Sequence, residues 1–498
     1  MLADLLVETA TLSVRGDVSI EIAGLSSDSR AIAPGDVFVA CPGRRTDGRQ
    51  FVDQAIRSGA VAVVCEPPGP QNLSVPLILV PDAHRAIADL ACSLYGHPSH
   101  HIGLVGVTGT DGKTTTTHMI AAILNGAGIH TGLMSTVAMN VGRAEERNRT
   151  SHTTPPATFI QKALAEMRSS GVQVAALEVS SHALELHRVQ GCVFDCAVFT
   201  NLASEHLDFH GTFEAYRAAK AKLFAQLNRE PAKSWGRLGV VNLDDPNASA
   251  MHAASSVPCI GFGLSDDAAV RAENIRERID FTTFRLHTPD GDATIETRLP
   301  GRYNVLNWLG AIAAAQHFGA TIEDVRRAAA EFRGVPGRLE QISCGQAFQV
   351  FVDFAHTPQA LATALDMLRR HANGRIIALF GQAGNRDLNN RSRMAIAVAE
   401  RADLAIVTSD DPYDEDPQSI VDDLAETLRQ FGWTENLQFW RIVDRRAAIE
   451  FALNLARPGD CVFLAGRGPE EETVVAGRRL PLVDADVARA ALARRRAA

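Results

Sequence analysis

Short runs of apolar residues bounded by turn signals alternate with segments of helical period along almost the whole chain. Near the N-terminus, residues 37–40, 61–65 and 77–80 read as strands, and 51–57 and 84–94 as helices. An apolar run at 102–107 reads as a buried strand, and the residues after Lys113 as a helix. Further on, 157–169 predicts an amphipathic helix, 172–179 a strand, the residues around Phe199 a second strand, 216–224 a helix, and the segment opened by Pro300 a helix through Ala315. After the turn-rich stretch 336–340 a fresh pattern begins, with strands at 348–352, 375–380, 404–408 and 461–464. Strands alternating with helices imply an α/β fold whose sheets are mainly parallel. The length of 498 residues suggests about three domains. We place them at 1–98, 99–336 and 337–498.

The strand at 102–107 and the helix after it enclose a glycine-rich turn, Gly106-Val107-Thr108-Gly109-Thr110-Asp111-Gly112-Lys113-Thr114-Thr115. Glycines allow successive backbone N–H groups to face phosphate oxygens, and the following helix adds its positive N-terminus. Lys113 would reach the outer phosphates and the Thr114 hydroxyl would ligate Mg²⁺. The strict G-x-x-x-x-G-K-[ST] spacing fails, because Val107 holds the first glycine position and Gly106 lies one residue early. The turn is therefore a variant P-loop, and a plain glycine-rich strand-to-helix turn with a solvated lysine is the bland alternative.

Ligands of parallel sheets gather beyond the carboxyl ends of the strands, and the polar clusters sit there. Glu178-Val179-Ser180-Ser181-His182 ends one strand, so Glu178 would share a rim with the P-loop and suits the metal of a bound nucleotide; a capping or salt-bridged glutamate is the alternative. Residues 199–211 run from a strand into a polar loop that holds His206. Lys220 follows, isolated among alanines; an ordinary ammonium would repel Mg²⁺, and its bland reading is a solvated helix residue. In the last segment, 353–358, 381–387, 410–413 and 466–470 place four polar loops on one rim.

Composition narrows the classes without choosing among them. Apolar residues at 46 % and charged residues at 21 % are ordinary for a globular protein. The net charge of -9 gives nucleic-acid binding no support. The eight cysteines form no C-x-x-C pair and read as reduced core residues of a cytoplasmic protein. There is no signal pattern and no long apolar span, which speaks against secretion and membrane insertion.

Taken in order, the motifs Asp28-Ser29-Arg30, 106–116, 178–182, 200–211, 216–220, Asn304, Gly337-Arg338-Leu339-Glu340 and 353–358 closely resemble the Mur ligase family over almost the whole chain. The resemblance implies a small N-terminal UDP-binding domain, a central P-loop ATPase-like domain and a C-terminal Rossmann-like domain. It implies a monomeric cytoplasmic enzyme of peptidoglycan precursor synthesis that joins a diamino acid to UDP-N-acetylmuramoyl-L-Ala-D-Glu, with ATP consumed through an acyl phosphate. Nucleic acid and membrane are not implied as partners.

By the same resemblance Gly109, Thr110, Asp111, Gly112, Lys113, Thr114, Thr115, Asn304, Arg338 and Asp353 bind ATP. Lys113, Glu178, His206 and Lys220 are the catalytic set. One Mg²⁺ lies near Thr114 and Glu178, and a second near His206 and Lys220, whose amine CO₂ has converted to a carbamate. Ser27, Ser29, Arg44, Arg45 and Thr46 would hold the uridine moiety, and Thr153, Thr154, Ser180 and Arg188 the muramoyl part. Arg386, Asp410, Asp411, Pro412, Tyr413, Gly466 and Glu470 would hold the incoming amino acid.

The more serious departures from the family pattern lie in the amino acid site. Asp111 for Asn, Glu205 for Asp and Phe354 for Tyr are mild, while His152 stands where Asn is usual before the two threonines and Leu186 where a substrate-contacting Gln is common. Tyr413 replaces the Arg of D-N-P-R, and Pro469 replaces the His of G-K-G-H-E. In the resemblance that Arg helps bind the far carboxylate of meso-diaminopimelate, which a tyrosine cannot do. Asp410, Asp411, Asp414, Glu415, Asp416 and Glu470 place negative charge nearby that would draw a free amine. L-lysine or L-ornithine is therefore expected ahead of meso-diaminopimelate. The competing readings are another Mur-type ligase with a different acceptor, a folylpolyglutamate-type synthetase, which would lack the UDP-binding segment, and a catalytically silent nucleotide-binding protein.

Overall fold

The computed structural model describes residues 1–43, 46–150, 152–231 and 233–497, the side chains of 496 and 497 excepted. Two compact units emerge: one comprises residues 1–275, 284–295 and 303–331, the other residues 276–283, 296–302 and 332–498.

The first unit contains a five-stranded sheet in the order Ser13–Arg15, Leu77–Leu79, Ala62–Cys65, Asp36–Ala40, Gly24–Ser26. All its neighbours run parallel except Ser13–Arg15, which pairs antiparallel with Leu77–Leu79. Strand Asp36–Ala40 shows why its run is apolar throughout: Val37 and Val39 enter one core, with Ile78 and Leu90, while Phe38 and Ala40 enter another, with Val63 and Leu77. Two covered faces require apolar residues at both parities of the strand. The helix Ala83–Leu94 begins where the Asp82 side chain accepts from the Arg85 N–H, as a capping aspartate does.

The second sheet of this unit has eleven strands, and the P-loop strand Gly103–Thr108 lies near its middle, flanked by Cys196–Phe199 and Val174–Glu178. Both neighbours are parallel to it, and the register aligns Glu178 with Val107 and Phe199 with Thr108. Three strands thus end at one level, and their loops share one rim. Every residue of Gly103–Thr108 is buried. Gly106 is needed for packing: a Cβ there would come within 2.9 Å of Leu223 Cδ1 and Phe194 Cε1, where the helix Phe213–Ala225 covers the sheet. At the opposite end of the strands, the Lys233 ammonium meets the buried Asp195 carboxylate at 2.6 Å and donates to the carbonyls of Ser99, Ile102 and Val193.

The apolar pattern did not mark several strands of this sheet. Thr131–Met134, Leu238–Asn242 and Cys259–Gly263 are parallel additions, and Val270–Glu277, Thr282–Thr288 and Gly291–Thr297 follow at one edge. Alternating burial along Val270–Glu277 and Gly291–Thr297 reflects one exposed face, a weaker signal than a continuous apolar run, whereas Thr131–Met134 is fully buried but short and holds a Thr and a Gly.

The second unit is built on a six-stranded sheet ordered Glu340–Gln341, Gln349–Asp353, Cys461–Ala465, Ile376–Phe380, Leu404–Val407, Phe439–Arg441. It is parallel except for its first strand. The four strands expected here are present within a residue of their predicted ends. A hairpin, Glu472–Val475 and Arg478–Pro481, follows. Among the described residues no helix is long and apolar enough to cross a membrane, and all eight cysteines are free thiols.

Candidate functional site

The turn after Gly103–Thr108 has the backbone its glycines suggested. Gly109 (φ 152°) and Gly112 (φ 82°) take conformations that L side chains rarely adopt, and the helix Lys113–Gly126 starts directly after Gly112. The Thr114 hydroxyl lies 3.0 Å from both carboxylate oxygens of Glu178. Glu178, only 2 % exposed, also accepts from the N–H (2.8 Å) and hydroxyl (2.9 Å) of Thr136. Thr114 and Glu178 therefore form a compact set of hard oxygen donors of the kind Mg²⁺ prefers. No sequence motif pointed to Thr136. Lys113 Nζ is parked on the Thr110 carbonyl at 2.7 Å.

The end of the neighbouring strand Cys196–Phe199 holds the loop in shape. Thr110 N donates to the Asn201 carbonyl (2.8 Å), and Asp111 N donates to Asn201 Oδ1 (2.9 Å). The amides of Thr110 and Asp111, expected at the phosphates, are thus turned toward the 196–201 strand end. Asn304 sits buried in the helix Arg302–His317, its Oδ1 accepting from Asn307 Nδ2 at 3.2 Å.

Lys220 overturns its bland reading. It is 1 % exposed rather than solvated, donates to the Gly109 carbonyl at 2.5 Å, and lies 4.5 Å from the centroid of the Tyr216 ring. Burial, with the Lys113 ammonium adding repulsion, holds its pKa well below the ordinary lysine value. Tyr216 itself meets Thr110 Oγ1 through its hydroxyl at 3.0 Å. His206, in a left-handed conformation, belongs to an aromatic cluster with His182 (ring centroids 4.7 Å apart) and Tyr216 (6.3 Å). Burial, reinforced by His206 and His210, brings the His182 pKa down to about 4. His206, too, is shifted down by burial, so both rings stay neutral near pH 7 and keep lone pairs for a cation.

The muramoyl candidates adjoin this set. Thr154 Oγ1 donates to the Glu178 carbonyl (2.8 Å) and accepts from Ser180 N (2.9 Å), while Arg188 Nη1 donates to the Thr154 carbonyl (2.8 Å). Thr153 is half-buried beside them. Among the uridine candidates, Ser29 is buried with its hydroxyl on Gln54 Oε1 (3.2 Å), and Ser27 and Thr46 are exposed on loops of the first sheet. Arg44 and Arg45 lie outside the described residues.

In the second unit the Arg338 guanidinium stacks 4.5 Å from the Phe354 ring centroid, and Asp353 accepts from Leu339 N (2.6 Å) and Ala355 N (2.8 Å). Around the acceptor candidates, one residue outside the expected set dominates. Arg467 is 0 % exposed and its Nη1 reaches Asp411 (2.6 Å), Asp410 (3.4 Å) and Glu470 (3.4 Å), with Nη2 on the Glu472 carbonyl. The negative charge expected to be free is thus partly paired within the protein. Glu415 is likewise held by Arg391 at 2.6 Å, and Asp416 caps the helix Pro417–Gln430. The three carboxylates of Asp410, Asp411 and Glu470 come within 4.8 Å of one another, but Arg467 already supplies the cation they share. Burial and the Asp410 charge push the Glu470 carboxyl up to about 8, although 37 % of its side chain stays exposed.

Tyr413, at φ 51°, is fixed by backbone bonds to the hairpin: its N donates to the Val474 carbonyl and its carbonyl accepts from Ala476 N. Pro412 is buried, and its carbonyl stands where a Cβ on Gly384 would fall. Gly466 has φ 114°, and a Cβ there would stand 2.8 Å from Asp410 Oδ2. Arg386 is exposed.

Comparison with known proteins agrees with this geometry. Residues 21–95 match the model described as Mur ligase family, catalytic domain; 107–315 match the Mur ligase middle domain; and 337–468 match the Mur ligase, glutamate ligase domain. The chain is 40 % identical over 476 residues to the UDP-N-acetylmuramoyl-L-alanyl-D-glutamate--2,6-diaminopimelate ligase of Geobacillus thermodenitrificans (strain NG80-2), covering 96 % of each protein. It is 41 % identical over 479 residues to the UDP-N-acetylmuramyl-tripeptide synthetase of Deinococcus radiodurans, covering 95 % of each. A solved UDP-N-acetylmuramoyl-L-alanyl-D-glutamate--2,6-diaminopimelate ligase superposes with a TM-score of 0.65 at 30 % identity, over 97 % of this chain and 98 % of that one.

Proposed function

Because the chain belongs to the Mur ligase family, we propose that it is the ATP-dependent ligase that joins a diamino acid to UDP-N-acetylmuramoyl-L-alanyl-D-glutamate in peptidoglycan precursor synthesis. The observation that carries this reading is the pairing of the P-loop hydroxyl of Thr114 with the Glu178 carboxylate at 3.0 Å, beside a buried lysine. That is a phosphoryl-transfer site rather than a structural turn. The relatives' names supply the substrates.

In this reading residues 1–98 take the uridine end, 99–336 take ATP and the muramoyl dipeptide, and 337–498 take the amino acid. The terminal carboxylate of the dipeptide attacks the γ-phosphorus of ATP, giving an acyl phosphate and ADP. The amine of the acceptor then adds to the acyl carbon, and the tetrahedral intermediate expels phosphate. Lys113, leaving the Thr110 carbonyl, neutralises the transferred group, while the N-terminus of helix Lys113–Gly126 faces the phosphates. Arg188 and Ser180, tied through Thr154 to the Glu178 strand end, hold the dipeptide beside the phosphate.

Thr114 and Glu178 suit one Mg²⁺, which would add charge neutralisation at the phosphates. His206 and Lys220 suit a second only if the lysine carries a carbamate. Burial lowers the pKa of this amine and so favours the neutral form, which adds CO₂ with loss of one proton to give that anion. The protein acts as a cytoplasmic monomer in this reading.

Two acceptor choices remain within the diamino acids. The relatives' names point to 2,6-diaminopimelate. Tyr413 points to a diamino acid with one carboxylate, L-lysine or L-ornithine, and Arg467 supports it, because its guanidinium is fully buried and already paired with Asp411 at 2.6 Å. The deciding experiment measures phosphate release with ATP, the UDP-linked dipeptide and a panel of amino acids. Release with a diamino acid supports the ligase, and no release with any acceptor refutes it.

A further inference from the structure

Two asparagines outside the ATP-binding set grip the P-loop from opposite sides. Asn201 grips the peptide of Asp111 at both ends: its Oδ1 accepts the Asp111 N–H at 2.9 Å, and its Nδ2 donates to the Asp111 carbonyl at 3.0 Å. Its own carbonyl accepts Thr110 N at 2.8 Å, and the hydroxyl of the neighbouring Thr200 donates to the Asp111 carbonyl at 2.6 Å. A carboxamide that matches both backbone groups of one residue acts like a strand partner, and it fixes the direction of two successive peptide planes at once. On the other side Asn307, 6 % exposed, accepts from Thr116 Oγ1 (3.4 Å) and donates to Asn304 Oδ1 (3.2 Å). Its Oδ1 lies where a Cβ on Gly112 would fall, only 2.3 Å from that position.

The geometry points to Asn201 and Asn307 as positioning residues of the nucleotide site, which set the loop from Gly109 to Gly112 before ATP arrives. Asn201 turns the amides of Thr110 and Asp111 away from the phosphates, so these meet the opening turn of helix Lys113–Gly126 instead. Asn307 seats the carboxamide of one helix against the bend that starts the other. A loop already held in its bound shape spares ATP the entropy of ordering it. The inference rests on the ATP-dependent reading of this site.

The test is titration of a fluorescent ATP analogue with Mg²⁺, without the other substrates, into the wild-type protein, Asn201→Leu and Asn307→Ala. Each variant is expected to raise Kd about tenfold, the loss of roughly one hydrogen-bond pair. At saturating ATP, KM for the UDP-linked dipeptide and for the amino acid should stay within about twofold, since both lie outside the braced loop. Gly112→Ala should cost less affinity in the Asn307→Ala background than alone, because the contact at 2.3 Å is gone. Should Asn201→Leu fail to fold, Asn201→Asp replaces it; that variant keeps an acceptor for Asp111 N–H, loses the donor, and should weaken ATP more than the other substrates. Unchanged Kd in the Asn201 and Asn307 variants, or an equal loss for all three substrates, overturns the inference. A wild-type protein that binds no nucleotide overturns the ligase reading instead.

Discussion

Lys220 Nζ donates to the carbonyl of Gly109 at 2.5 Å, so a fully buried amine on one helix is fastened to the first glycine of the P-loop. A buried amine needs an acceptor for its N–H, and the Gly109 carbonyl supplies one beside the Tyr216 ring. The arrangement sets an amine whose pKa burial lowers directly against the glycine-rich turn, where the proposed carbamate would form.

Lys220→Ala is expected to lower kcat by about 100-fold or more, since it removes the anion that would hold the second Mg²⁺ at the phosphates. The fold should persist. Short-chain carboxylates added to the assay should restore part of the rate; a variant with wild-type turnover would show that no carbamate acts there.

Lys113→Ala should lower kcat/KM for ATP by roughly the same factor, because a methyl group cannot neutralise a transferred phosphoryl group. Steady-state kinetics with ATP varied is the check. Wild-type values would mean that Lys113 serves only the Thr110 carbonyl it contacts here.

For the acceptor, equal concentrations of L-lysine, L-ornithine and meso-diaminopimelate compete in one assay. Tyr413→Arg should raise kcat/KM for meso-diaminopimelate by about tenfold through a forked contact to its second carboxylate. If meso-diaminopimelate is the best acceptor of the unaltered protein, the argument from Tyr413 fails.

Glu470 gives a pH prediction. Its carboxyl, raised to about 8, stays protonated in the folded protein at pH values where the unfolded chain has lost its proton. The folded state therefore binds more protons between pH 4.5 and 8, and Glu470 makes stability fall as pH rises through that window. Glu470→Gln should flatten this slope in urea titrations at several pH values. An unchanged slope would place the titration elsewhere.

Lys233→Met leaves the buried Asp195 carboxylate without its cation and should cost about 3–5 kcal/mol of stability. Asp195 lies at the far end of the strands from the P-loop, so kcat of the surviving folded fraction should hold. Chemical denaturation measures the first, and kinetics at low temperature the second.

Sequence alone determined several of the elements whose burial is complete. Strands such as Gly103–Thr108 and Ile376–Phe380 are covered on both faces, so they read as continuous apolar runs whatever surrounds them. It also determined the glycine-rich turn, because positive φ at Gly109 and Gly112 demands that residue type locally. Tertiary structure decided the rest, where the partner lies far away in the chain. The register of three parallel strands brings Glu178 to Thr114, 64 residues away. Packing of helix Phe213–Ala225 over Gly106 turns Lys220 from an apparent surface residue into a buried one. The pairing of Arg467 with Asp411, 56 residues apart, cancels charge that reads as free in the sequence. Burial and pairing depend on the sum of distant contacts, and no local pattern of apolar and polar residues encodes that sum.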